Sequence, residues 1–314
     1  MEFKVDYNKQ PEGILFGAKL CVAVTLMVLG ANMVLTESAG FLIFGILILG
    51  AMFTHCIELQ HQCLHYTAFK SRRLNRIVGF ILGLPSLVSF SHYQFKHLHH
   101  HRYLGTEMDG EFFSYQNVEQ GSESFNLIFA AFDYRRIVEL AKIFAKAVLG
   151  HQIDPKINSD KANRIRHEYL AMLALIATAT AASVFLGAVE YIFLLWLLPL
   201  VLVAEPLHFF VELPEHFGCQ KSNPSPFFNT RSITSNKFLF WFTNGNNLHV
   251  EHHLFQNAPI SELPKIHEQV RNRLRYSNQT YVEFFKGLAS DGDGMIEIGG
   301  NQAPAAASAV WEAK

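Results

Sequence analysis

LCVAVTLMVLGANMVLTESAGFLIFGILILGAMFTHCIELQHQCLH (20–65) decides the fold. From Leu20 to Thr36 it is nearly unbroken apolar residues; a short polar patch, TESAG (36–40), follows, and a second apolar run covers Phe41 to about Ile57. No Lys or Arg occurs between Lys19 and Lys70. Each run approaches the ~20 helical residues that cross a hydrocarbon core of ~30 Å. The pattern recurs downstream: Tyr169–Leu186 and Tyr191–Val211 are separated only by GAVE (187–190), with no Lys or Arg between Arg166 and Lys221. The first run is too long, and its leader too extended, for a cleaved signal peptide, so a retained helix is expected.

These runs predict an all-α integral membrane protein with four transmembrane helices in two hairpins. Every one of the 26 Lys and Arg lies off the two tight turns. The positive-inside rule therefore places both termini and the central segment in the cytoplasm, as in a bacterial inner-membrane or endoplasmic-reticulum protein. Residues 66–168 and 212–288 then form a cytoplasmic helical cap, and 1–288 is one membrane domain. Within the cap, LNRIVGFILGLPSLVSF (74–90) is broken by Gly79, Gly83 and Pro85 and reads as a membrane-surface or re-entrant segment. FNLIFAAF (125–132) and IVELAKIFAKAVL (137–149) read as interfacial helices. Leu263, Ile266, Val270 and Leu274 recur at helical spacing, and 289–314 reads as a disordered tail. A net charge of −1 gives no pull toward nucleic acid, and the four cysteines have no paired spacing.

Histidine, present 16 times, is the unusual entry in so apolar a composition. Three clusters stand out: HQCLH (61–65), HLHHH (97–101) and HVEHH (249–253). On a helix His61 and His65 share a face at i, i+4. His97, His100 and His101 repeat an i, i+3, i+4 spacing, as do His249, His252 and His253; His99 points elsewhere. These eight imidazoles exceed what one ion uses, since zinc takes four ligands, so two metals sharing them is the natural arithmetic. All three clusters lie in cytoplasmic segments and not at the bilayer centre, where a transporter places its ion.

HQCLHYTAFKSRRLNRIVGFILGLP, FKHLHHHRYLGTEMD and NLHVEHHLFQNAPISELPKIH resemble the integral-membrane fatty acid desaturase family, whose superfamily includes hydroxylases and ketolases. The resemblance runs from about 40 to 275. It implies four membrane helices, a cytoplasmic cap and two non-haem irons using O2 as co-substrate. The choice of iron rests on that resemblance, because imidazoles also suit zinc, copper and nickel. It implies a further ligand between the fourth run and the last box; EHFG (215–218) matches related hydroxylases, which makes His216 the ninth ligand. His208 is a second candidate there, for the metal or its surroundings. Asp109, Glu215 and Asn247 are candidate partners for the ring N–H groups. Gln62 stands where the family often has an acid, so Glu58, one turn before His61, is the substitute carboxylate. His55, His92, His151, His167 and His267 read as ordinary.

The resemblance implies insertion of a double bond into an acyl chain carried on a lipid or thioester. Hydroxylation or alkyne formation at the same site is the alternative, and a non-redox histidine-rich metal-binding membrane protein is a third. No haem or ferredoxin-type motif is evident, so a separate electron donor of ferredoxin, rubredoxin or cytochrome b5 type is expected.

Overall fold

The computed structural model describes residues 5–36, 38–113, 127–132 and 135–291. The expected tail lies outside the described residues from 292 onward, as does the start of the 125–132 segment. The chain is mostly helical. In order come α1 (Gly13–Val34), α2 (Ala39–Leu64), α3 (Arg72–Gly83), α4 (Phe90–Tyr103), α5 (Leu127–Ala131), α6 (Arg135–Leu149) and α7 (Ser159–Phe185). A further long helix, α8 (Glu190–His216), is followed by α9 (Lys237–Phe242), α10 (His249–Leu254), α11 (Leu263–Val270) and α12 (Tyr281–Asp291).

Four of these, α1, α2, α7 and α8, are long and apolar enough to cross a membrane. They overlap the four apolar runs and extend beyond them. α2 continues through His61, with His65 as its C-terminal cap, and α8 continues through His208 to His216. The same rigid helices that carry the apolar runs therefore carry histidines into the site. Their remaining faces, including Val28, Phe44, Val184 and Phe185, stay exposed, as lipid-facing surfaces must. α8 widens into π-helical turns at Phe193–Leu197 and Pro199–Ala204. Pro199, which cannot donate to an i−4 carbonyl, opens the second of these turns, whereas Pro206 and Pro214 lie in the α-helical turns that follow.

α2 is the central element. It meets α1 where Gly45 faces Gly30: a methyl added to Gly45 would lie 2.5 Å from the Gly30 carbonyl oxygen and 2.7 Å from Val34 Cγ2. It meets α8 through Gly50, whose missing side chain admits Val203. The core around its lower half joins Phe16, Cys56, Leu59, Cys63, Phe90 and Tyr93 from α1, α2 and α4. Ser89 caps α4 by accepting from the His92 N–H, and its hydroxyl donates to Glu168 Oε2 of α7 at 2.6 Å. Ser91 also donates to Glu168, which ties the start of the second histidine helix to α7.

α3 lies between α2 and α4, and leaves Leu74, Ile77 and Ile81 exposed along one stripe. That spacing suits the membrane-surface segment expected at 74–90. Leu263, Ile266 and Val270 are buried on α11, as their period predicts, whereas Leu274 follows a 3₁₀ turn and packs only partly.

The all-α expectation needs one correction. Arg231–Ile233 (β1) and Tyr276–Asn278 (β2) pair as parallel strands, Arg231 opposite Tyr276. Three residues per strand are too few to show a period of two in the sequence. The pair has a clear purpose in packing. It places buried Arg231 under the end of α8, where its guanidinium donates to the carbonyls of Pro214 (2.7 Å) and Phe217 (2.6 Å). A helix terminus leaves such carbonyls without intrahelical donors, so Arg231 caps the turn that carries His216.

Candidate metal centre

α2, α4, α8 and α10 bring nine histidines together, but not box by box. The Nε2 atoms of His61, His65, His97, His101 and His252 form one group. His61 lies 2.7 Å from His97 and 3.1 Å from His252; His65 lies 3.0 Å from His97, and His101 lies 3.0 Å from His252. His100, His216 and His253 form a second group, which His249 joins at 3.0 Å from both His216 and His253. The i, i+3, i+4 triplets are therefore split: His97 and His101 serve the first group while His100 serves the second, and His252 leaves His249 and His253. His101 and His253 stack at a centroid distance of 4.1 Å, which puts the groups side by side.

The donor set fits metal ions. Lone pairs that face one another at 2.7–3.2 Å repel unless something positive lies between them. Two nitrogens each about 2.1 Å from an ion and at right angles would be about 3 Å apart. Burial and the neighbouring imidazoles hold His97, His101, His252, His249 and His253 well below the ordinary histidine value, and burial pushes His65 down to about 3. Neutral imidazole is the form that ligates. His100 is the exception. Against burial, the Glu111 and Asp109 carboxylates hold it above its ordinary value.

Ring orientation depends on what accepts the Nδ1 proton. Asp109 does so for His100 at 2.6 Å, and the Asn229 carbonyl does so for His216 at 3.0 Å. Glu215, though adjacent to His216 in sequence, turns its carboxylate to His249 Nδ1, 3.2 Å away. Glu111 accepts from His97 at 3.1 Å and also comes within 3.6 Å of His100 Nε2, so one carboxylate touches both groups.

Two of the expected partners sit elsewhere. Glu58 does not reach His61 or His65; it accepts from Asn246 and faces His208 at 3.9 Å. Gln62 donates to Glu12 at 3.0 Å and accepts from Asn244, joining α2 to the N- and C-terminal segments. Asn247 bonds Thr243 and the Ile233 carbonyl, which braces the turn before α10 without meeting His249 Nδ1. His208 lies apart from both groups, beside Phe113 and Glu212. His55, His92, His99 and His267 find partners in the Phe242 carbonyl, Tyr169, the Met108 carbonyl and Glu251.

Glu111, Asn229 and Arg231 are functional neighbours that the motifs do not reveal. Glu111 has a weak sequence signal, two residues after Asp109; Asn229 acts through a backbone carbonyl and has none. A cavity of about 490 Å³ opens on the centre, walled by Tyr93, Thr106, Glu111, Phe113, Glu212 and Lys221 with histidines of both groups. Its size suits a small ligand or part of a chain.

These features define a membrane protein with a buried polyhistidine metal-binding centre. A profile of the fatty acid desaturase family matches residues 38–285. The chain belongs to that family, and so to the desaturase-like oxidoreductases. It is 27% identical over 246 residues to an acyl-lipid (9-3)-desaturase of Physcomitrium patens, an alignment covering 69% of this chain and 45% of that protein. The chain thus spans less than half of that relative's length. It is 25% identical over 293 residues to a dihydrorhizobitoxine desaturase of Bradyrhizobium elkanii, covering 84% of this chain and 79% of the relative.

Proposed function

We propose that this protein is an O2-dependent non-haem diiron desaturase that introduces a double bond into an acyl chain. The observation that carries the reading is the pair of adjacent imidazole groups opening on one cavity. Two ferrous ions bound there would supply O2 activation, with two external electrons and two protons reducing O2 to two waters as a –CH2–CH2– unit becomes –CH=CH–.

The chain's own residues do the rest. His61, His65, His97, His101 and His252 would hold one ion, and His100, His216, His249 and His253 the other. Asp109, Glu111 and the Asn229 carbonyl keep protons on Nδ1, so that Nε2 presents its lone pair. Phe113 and Tyr93 line the cavity against the centre and limit water beside a reactive oxidant.

The membrane arrangement follows the same reading. The four long helices form two hairpins, and the remaining helices form a cap on the cytoplasmic side, where the termini and the site also lie. The absence of Lys and Arg from 36–40 and 187–190 supports this orientation. The exposed stripe of α3 supports a site at the bilayer surface, where an acyl tail can leave the lipid. A separate ferredoxin, rubredoxin or cytochrome b5 type carrier delivers the electrons.

Metal analysis of purified protein tests this. At least two irons per chain are expected, and His97→Ala and His249→Ala should lose iron and product while still inserting. Zinc in place of iron, or well under two irons, would overturn the diiron reading.

A further inference from the structure

Outside the nine histidines, a second kind of ligand cluster remains that neither the metal groups nor their supporting acceptors use. Glu58 of α2 and His208 and Glu212 of α8 bring one donor atom each to within 4.8 Å of one another. His208 Nε2 lies 3.4 Å from Glu212 Oε1 and 3.9 Å from Glu58 Oε1. Glu58 is 1% exposed; Asn246 donates to its Oε2, which turns Oε1 into the cluster, where that atom has no hydrogen-bond partner among the described residues. Glu212 is 10% exposed and lines the cavity, so the cluster has an entrance.

The chemistry asks for a cation. Two carboxylates at this depth stay ionised only when a cation pairs with them, and otherwise hold protons. The nearby Arg136 is committed to Glu205 and the Ser86 carbonyl. The spacing already suits an ion: donors about 2.1 Å from a common centre, at angles between about 100° and 140°, lie about 3.2–3.9 Å apart. Three protein ligands leave positions for water on the cavity side.

We propose that Glu58, His208 and Glu212 form a third, mononuclear site for a divalent cation, separate from the two imidazole groups. Its one-imidazole, two-carboxylate donor set is harder than theirs and suits Mn²⁺, whereas imidazoles favour zinc and copper.

That contrast supplies the experiment. The full-length protein is purified in detergent, stripped of metal and given two equivalents of Zn²⁺ to fill the histidine groups. Mn²⁺ is then added, and the free ion is counted by its electron paramagnetic resonance signal. The wild type should bind one Mn²⁺ per chain. Glu58→Gln and Glu212→Gln should keep both zinc ions, which reports an intact fold, and lower manganese affinity at least tenfold. Zinc-loaded wild type that takes up no Mn²⁺ would overturn the proposal, and so would a variant that retains its zinc and binds Mn²⁺ unchanged.

Discussion

The two imidazole groups share helices α4 and α10 but are oriented by different means. In the second group Asp109 and the Asn229 carbonyl accept from His100 and His216, and Glu215 faces His249. In the first, Glu111 backs His97, while the buried Nδ1 atoms of His61 and His65 have no hydrogen-bond partner among the described residues. The rings of His61 and His97 instead pack around Tyr93, at centroid distances of 6.1 and 5.7 Å. One group is held by acceptors and the other mainly by close packing of α2 against α4 around Tyr93. Under the proposed reading, an ion held in one group can therefore be disturbed without the other.

The largest expected effect comes from removing a ligand. His65→Ala should empty the first group and leave the second loaded, and His100→Ala should do the reverse. Each should abolish turnover while halving the iron in the histidine groups, which metal analysis reads directly. Loss of both ions from either variant would show that the groups are one cooperative unit.

Next comes packing. Tyr93→Ala should destabilise the protein by on the order of 3 kcal/mol, since it empties a buried aromatic site, and should weaken metal retention in the first group more than in the second. Thermal unfolding together with metal content checks both parts.

Asp109→Asn should act the other way round. Replacing the charged carboxylate that accepts from His100 with a neutral amide should lower affinity in the second group about 10–100-fold, or about 1.4–2.7 kcal/mol, with the first group keeping its metal. Equal losses in the two groups would break the comparison.

The smallest effect, taken over a single pH unit, is on acid stability. His65 is lowered to about 3 by burial, so between pH 6.5 and 3 the unfolded chain binds more protons there than the folded one. Its contribution to the stability of metal-free protein is fully present above about pH 6.5 and falls by up to about 1.4 kcal/mol per pH unit below it. Bound metal keeps the folded His65 unprotonated to lower pH, so in an unfolding series the slope should persist in metal-loaded protein until the metal is released.

The apolar runs made the four long helices legible, because length and hydropathy are local properties of the chain. The histidine spacing made the ligand candidates legible, because i, i+3 and i+4 fix a common helix face. The split of each HxxHH between two groups was not, since it depends on how α2, α8 and α10 close around α4. Glu58 shows the same limit. One helical turn puts it near His61 along the chain, yet the packing of α8 presents it to His208. The Asn229 carbonyl and the Arg231 cap were out of reach altogether, because backbone groups and three-residue strands leave no pattern in side-chain chemistry.

The most direct test is mass spectrometry of acyl lipids and acyl thioesters from cells that make this protein with a compatible electron donor. A product two hydrogens lighter, dependent on O2 and lost in His97→Ala, is the expected result. A product one oxygen heavier, or no product at all from fully iron-loaded protein, would contradict a desaturase.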